Sequence, residues 1–185
     1  IVRGDLAIAD VAVDATVSNY LVSPGVAGKV RAKQLRSGTT IVSGVDVDLA
    51  RDGTWTKFSG GATVAGIPLK AAGRVEAVNG VTTVELASAQ AVVQGVTTRL
   101  ARPATVRIRD GGTTLDRLAL SLGGGTATIS GSAGSTLALD VALANLPASL
   151  ADQFVPGLGA SGPISGTVKV SGAAANPKVT YQLAW

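Results

Sequence analysis

The sequence predicts an all-β chain, and three observations carry that prediction. Apolar residues alternate with small or charged ones in segment after segment. Turns bearing glycine, asparagine and aspartate separate those segments, and the apolar content is aliphatic. Side chains on a strand point to opposite faces with a period of two, so each alternating segment reads as a strand with one apolar face. Of the 185 residues, 46% are hydrophobic, 15% are charged and only 3% are aromatic. Glycine, at 24 residues, is abundant, without the every-third-residue period of collagen. A chain of this length can bury a sizeable core, and it reads as one unit over residues 1–185.

In chain order, Leu6 and Ile8 share one parity while Val11, Val13 and Val17 share the other, which predicts a bulge or turn around Ala9-Asp10. "SGVDVDLARDG" sets Val45, Val47 and Leu49 opposite Asp46 and Asp48. "TVRIRDGG" sets Val106 and Ile108 opposite Arg107 and Arg109, and "DRLALSLGGG" groups Leu118, Leu120 and Leu122. "TLALDVAL" puts Leu137, Leu139, Val141 and Leu143 on one face, with Ala138, Asp140 and Ala142 on the other. "GTVKVSG" does the same for Val168 and Val170. Arg51-Asp52-Gly53, Asn79-Gly80 and Asp110-Gly111-Gly112 read as hairpin connections, because glycine and asparagine tolerate positive φ. Only "LPASLADQFVPGLG" looks helical. There Leu146, Leu150 and Phe154 recur every four residues between Pro147 and Pro156, which predicts one short helix near 147–154 packed on the sheet edge.

Residues 118–139 carry no charge, yet a membrane helix needs about 20 consecutive, mostly apolar residues. Gly123-Gly124-Gly125 and Gly131 interrupt the run, so it reads as two or three strands joined by tight glycine turns.

Several functional classes lose ground on composition. The net charge is +4, from 16 basic and 12 acidic residues. The densest basic groups are Lys29, Arg31, Lys33 and Arg36, and then Arg99, Arg102, Arg107 and Arg109. Nucleic-acid binding would want such groups interleaved with stacking aromatics, which are missing, so these read as solvated strand faces and no nucleic-acid partner is expected. There is no cysteine, histidine or methionine, which leaves no disulfide framework and no thiolate chemistry. Asp46 and Asp48, like Asp10 and Asp14, read as solvent-facing rather than catalytic or calcium-binding, since no EF-hand-like loop surrounds them. "SLGGGTAT" is glycine-rich, but no helix follows it to cradle a phosphate, and no nucleotide-binding fingerprint is present. No enzyme activity, cofactor or metal is expected. A surface-adhesion module would repeat its rungs at one fixed short period, whereas these strand lengths vary.

A one-faced strand needs cover for its apolar side. A β-sandwich supplies a second sheet, with large aromatics helping to fill the space between. A single sheet curling on itself would instead line its own inner wall with Val, Leu and Ile. An outer-membrane barrel reverses that polarity and adds aromatic girdles. The scarcity of aromatics argues against the barrel, and pattern alone leaves the first two open.

The final third narrows the choice. Leu118, Leu120 and Leu122, followed by Gly123-Gly124-Gly125 and a strand ending at Gly131, resemble the repeat unit of the TamB family of the diderm bacterial envelope. Leu146-Pro147 with Leu150 and Val155-Pro156 is similar to that family's short leucine-proline helix. Gly162, Ile164, Gly166, Val168, Val170, Gly172 and Asn176-Pro177 resemble its closing signature. The upstream "TTRLARPATVRIRDGGTTL" looks like the segment that precedes this unit, so the resemblance covers about residues 97–185. Residues 1–96 share only the strand habit. AsmA-like proteins share much of the pattern.

The resemblance implies an elongated β-sheet curled lengthwise into a taco with a hydrophobic interior. It also implies a slice of a periplasmic bridge that carries phospholipid between the inner and outer membranes. The parent would be anchored in the inner membrane outside this slice and would work with an outer-membrane partner of the Omp85 class. On that expectation the groove wall is Val45, Val47 and Leu49; Val106 and Ile108; Leu118, Leu120, Leu122 and Ile129; Leu137, Leu139, Val141 and Leu143; and Val168 and Val170, all facing phospholipid acyl chains. The alternatives are a structural β-module with a filled core, and assembly of outer-membrane proteins by strand addition at an open sheet edge.

Overall fold

The computed structural model describes residues 2–3, 6–18, 25–37, 40–93, 95–153, 157 and 159–185. Alternation and turn chemistry act together along this whole length. β1 (Val2–Arg3), β2 (Leu6–Ser18), β3 (Gly25–Ser37), β4 (Thr40–Asp52) and β5 (Trp55–Val64) are followed by β6 (Ile67–Val78) and β7 (Val81–Val93). Then come β8 (Val96–Leu100), β9 (Ala104–Arg109), β10 (Gly112–Leu122), β11 (Gly125–Ala133) and β12 (Thr136–Pro147). A 3₁₀ helix, Ala148–Gln153, precedes β13 (Pro163–Ala173) and β14 (Lys178–Ala184). The strands form a single antiparallel sheet in which nearly every strand pairs with its neighbours in sequence. The chain is all-β, as the alternation predicts.

Turns form where the residue types permit positive φ. Asn79 and Gly80 (φ 50 and 75) and Asp110 and Gly111 (φ 49 and 74) have the twin positive angles of the tight turn whose twist matches a hairpin. Gly53 (φ 65) closes the β4–β5 hairpin. Ala65 and Gly66 (φ 49 and 83) make the same turn between β5 and β6, although alanine pays about 1–2 kcal/mol to sit there.

β8 and β9 behave as one strand broken at residues 101–103. Both pair with β7 on one side and with β10 on the other. The Ala101 N–H donates to the Ala119 carbonyl at 2.8 Å across the gap. Irregularities on neighbouring strands accompany this break. The β6–β7 register shifts beyond Ala72 and the β4–β5 register shifts between Ser43 and Asp46, around Gly44 (φ 59). On the other side β10 bulges between Leu115 and Leu118, where Arg117 has a φ of 48. The predicted break near Ala9-Asp10 takes a different form. The β2–β3 ladder passes from Ala9–Gln34 to Val11–Ala32 without an Asp10–Lys33 pair, and β3–β4 likewise omits Lys33–Gly44. The irregularity therefore crosses three strands at one level and leaves the register unchanged. A line of bulges and breaks of this kind lets a sheet bend across its strands.

All the described strands belong to one sheet, so no second sheet covers it among the described residues. Every extensive contact between strands joins sheet neighbours, or strands flanking one common neighbour. Among the described residues the buried apolar side chains are Ala32, Ala104, Ala119, Ala127, Ala148 and Ala160, so none of the larger aliphatic side chains described is fully enclosed. The 3₁₀ helix sits at one rim, as the leucine-proline pattern predicts, but is tighter than an α-helix. Leu150 lies against the Gly123 turn, and the Ala148 N–H donates to the Gly162 carbonyl at 2.8 Å. Phe154, Val155 and Pro156 fall outside the described residues. No described helix is long and apolar enough to cross a membrane.

Two substitutions test this account by urea unfolding. Ala65→Asn restores an Asn-Gly turn and raises stability by about 0.5–1 kcal/mol, as relief of left-handed strain requires. Gly73→Ala drives a Cβ into the Glu85 carbonyl, and costs about 1–3 kcal/mol, as overpacking does.

Candidate functional site

Directly opposed residues of an antiparallel ladder lie on one face, so the register alone assembles the candidate site. One unbroken row reads Thr56, Val75, Val84, Val106, Leu115, Gly131, Leu139, Val170 and Val179, from β5 to β14. Beside it runs Leu118, Ile129, Val141, Val168 and Tyr181. A third row reads Leu100, Leu120, Ala127, Leu143, Gly166 and Leu183. The bulge at Arg117 is what lets Leu115 and Leu118, of opposite parity in sequence, share this face. On β4, Val45, Val47 and Leu49 face the same way, because Val47 leads through Gly60 to Ala71 and Leu49 through Phe58, Gly73 and Leu86 to Ala104.

Every residue predicted to line the groove therefore shares one face, Leu122 and Leu137 included. All are half-buried except Ile108, which is 39% exposed. Along β12 the contrast alternates strictly: Leu137, Leu139, Val141 and Leu143 are half-buried, and Ala138, Asp140, Ala142 and Ala144 are exposed.

The opposite face carries nearly all the charges, many of them paired across strands, while Arg51, opposite Thr56, stands at the end of the apolar face. Lys29 meets Asp48 at 2.8 Å, Arg31 meets Asp46 at 3.4 Å and Lys169 meets Asp140 at 3.4 Å, each pair directly opposed in the ladder. Arg74 donates through Nε to Glu85 Oε2 at 2.7 Å, and its guanidinium lies 4.4 Å from the centroid of the Trp55 ring. The hydrogen bond to Glu85 holds Arg74 above its ordinary pKa. Asp46 and Asp48 thus stand in solvent with cationic partners, and no group of three potential metal-ligating side chains occurs among the described residues.

The register also shows what the alternation rule missed. A cavity of about 650 Å³ follows Leu49, Phe58, Gly73, Leu86 and Ala104, with Lys57, Arg74 and Glu85 also at its border. That volume falls within the roughly 300–1,000 Å³ of small-ligand pockets. Leu49 alone of the predicted wall borders it. Phe58 and Leu86 were passed over because Gly60, Gly61, Ala71, Ala72, Ala87 and Ala89 dilute the hydrophobic contrast of β5, β6 and β7, and Ala104 because alanine gives little apolar signal of its own. A count of alternation that treats glycine and alanine as neutral would have recovered Phe58 and Leu86. Comparison with family models, with curated proteins and with solved structures finds no match.

The open apolar face has an energetic signature. Leu→Ala in an enclosed core costs about 2–5 kcal/mol. Leu139 is only half-buried and no second sheet lies over it among the described residues, so Leu139→Ala should cost about 1–2 kcal/mol in urea unfolding, and a loss above 3 kcal/mol would mean a filled core.

Proposed function

We propose that this chain is a segment of a lipid-conducting bridge whose aliphatic face shelters phospholipid acyl chains in transit between two membranes. One observation carries the reading: among the described residues a broad single sheet presents rows rich in Val, Leu and Ile with no second sheet over them and no large aliphatic side chain enclosed. The resemblance of residues 97–185 to the TamB family supports the same reading. On this proposal the chain works in the periplasm of a diderm bacterium, within a parent anchored in the inner membrane and acting with an outer-membrane partner of the Omp85 class.

The mechanism follows from the two faces. Each CH₂ removed from water is worth about 0.8 kcal/mol, so one acyl chain represents on the order of 10 kcal/mol that a trough must supply. Val, Leu and Ile supply it without directional bonds, so a chain can slide from row to row without a deep trap. The headgroup stays at the open side of the trough. The ion-paired face keeps the outer wall in water and offers nothing to a fatty tail. No catalytic step enters this reading.

Photocrosslinking residues at Leu120 and Leu139 should capture phospholipid, identified by mass spectrometry, while those at Arg107 and Asp140 capture none. Leu120→Asp and Leu139→Asn should remove copurifying phospholipid and block its passage between vesicles, with the strand signal in circular dichroism retained. Capture at Arg107 and Asp140 with none at Leu120 and Leu139 would refute the assignment.

A further inference from the structure

The charged face is not balanced everywhere. One row on it reads Arg31, Asp46, Gly61, Lys70, Gln90, Arg99 and Ser121, from β3 to β10. Arg31 and Asp46 hold each other at 3.4 Å, and Lys29, Lys57, Arg74 and Lys169 likewise have carboxylate partners. Lys70 and Arg99 enter no ion pair among the described residues. Arg99 donates through Nε to Gln90 Oε1 at 3.2 Å. Over the same central strands the next row, Ser59, Ala72 and Ser88, adds two hydroxyls and no carboxylate. On the other side Thr63, Pro68, Val92 and Thr97 are neutral as well. A cavity of about 560 Å³ is bordered by Lys70, Gln90 and Arg99 along one row and by Ser59, Ala72 and Ser88 along the other. Ala71 and Ala89 also border it; their side chains belong to the apolar face, so they contribute backbone to its floor.

We propose that this cavity binds a phosphate ester, with the phosphate held between Lys70 and Arg99 and the organic part lying over the alanine floor. β6 and β8 stand two strand spacings apart, about 9.5 Å, so the two cations flank the cavity without meeting. Asp46, the one carboxylate on their row, is two strands from Lys70 and already held by Arg31. An anion between the two cations therefore relieves a repulsion that no side chain of the row relieves. Arginine offers a planar fork that suits two phosphate oxygens, and lysine a compact charge. Gln90 accepts from Nε and so fixes the guanidinium plane, while both Nη groups keep donors for the anion. The cavity is larger than phosphate alone would fill and lies within the roughly 300–1,000 Å³ of small-ligand pockets, which points to an ester rather than the inorganic ion. This site lies on the face opposite the aliphatic rows, so it stands or falls apart from acyl-chain binding. A soluble phosphomonoester and a lipid headgroup present the same chemistry, and the experiment separates them.

Glycerol 3-phosphate, titrated at low ionic strength where screening is least, should shift the NMR amide signals of Lys70, Gln90 and Arg99 ahead of all others. Lys70→Gln and Arg99→Gln should each weaken that binding about fivefold, as loss of one exposed charge pair requires, with the strand signal in circular dichroism retained. Gln90→Glu hands Arg99 a carboxylate and should weaken binding further than either. Arg107→Gln removes an equal charge from the same face outside the cavity and should leave binding unchanged. Flotation with phosphatidylcholine vesicles, with and without phosphatidic acid, decides the source. Flotation that needs phosphatidic acid and is lost in Lys70→Gln and Arg99→Gln assigns a lipid headgroup; binding of glycerol 3-phosphate without it assigns a soluble ester, and either result upholds the site. No response at these residues to either probe, or a loss through Arg107→Gln equal to that through Lys70→Gln, would overturn the proposal.

Discussion

The antiparallel register is the constraint on which everything else in this molecule rests. A strand's side chains alternate with a period of two, so a slip of one residue would carry Val45, Val47 and Leu49 to the face now held by Asp46 and Asp48. Lys29–Asp48, Arg31–Asp46, Arg74–Glu85 and Lys169–Asp140 are all directly opposed pairs. All are largely exposed, and such pairs are worth less than about 1 kcal/mol each. Their value lies in selection, because a one-residue slip in any of these ladders would separate the opposite-charge pairs that the ladder carries. The aliphatic rows supply the larger share of the free energy, and the charges choose which of several similar alignments receives it.

Irregularities then do what perfect ladders cannot. A strict ladder would leave Leu115 and Leu118 on opposite faces; the bulge at Arg117 brings them together. Glycine takes the positions where a neighbouring carbonyl approaches too closely for a Cβ, as Gly131 does against Ala138. The break between β8 and β9 interrupts one strand while leaving both of its neighbours paired.

How much of this was legible in the sequence depended on contrast between the two faces. β4, β12 and β13 set Leu or Val against Asp, Lys or Ala, and the structure places each of those side chains where the alternation put it. β5, β6 and β7 carry glycine and alanine on both faces, so the apolar parity of Phe58, Leu69 and Leu86 emerged only from pairing with β4 and β9. The Ala65-Gly66 turn was hidden because alanine is a poor left-handed residue, tolerated there by the hairpin around it. The Arg117 bulge was hidden for a related reason: a long cationic side chain carries no turn signal. Nothing local told that β8 and β9 would share one line. Which face would be left without a second layer is a property of the whole sheet and cannot be read from any single strand.

Pairing between sequence neighbours has a further consequence. Each hairpin needs only the one before it, so loop-closure costs stay small and sheet growth can proceed from the first hairpin onward as the polypeptide emerges. Stability then approximates a sum of adjacent couplings, as in one-dimensional repeat arrays. Such an architecture can be lengthened or shortened by whole hairpins without redesigning what remains, which makes span an evolutionarily adjustable quantity.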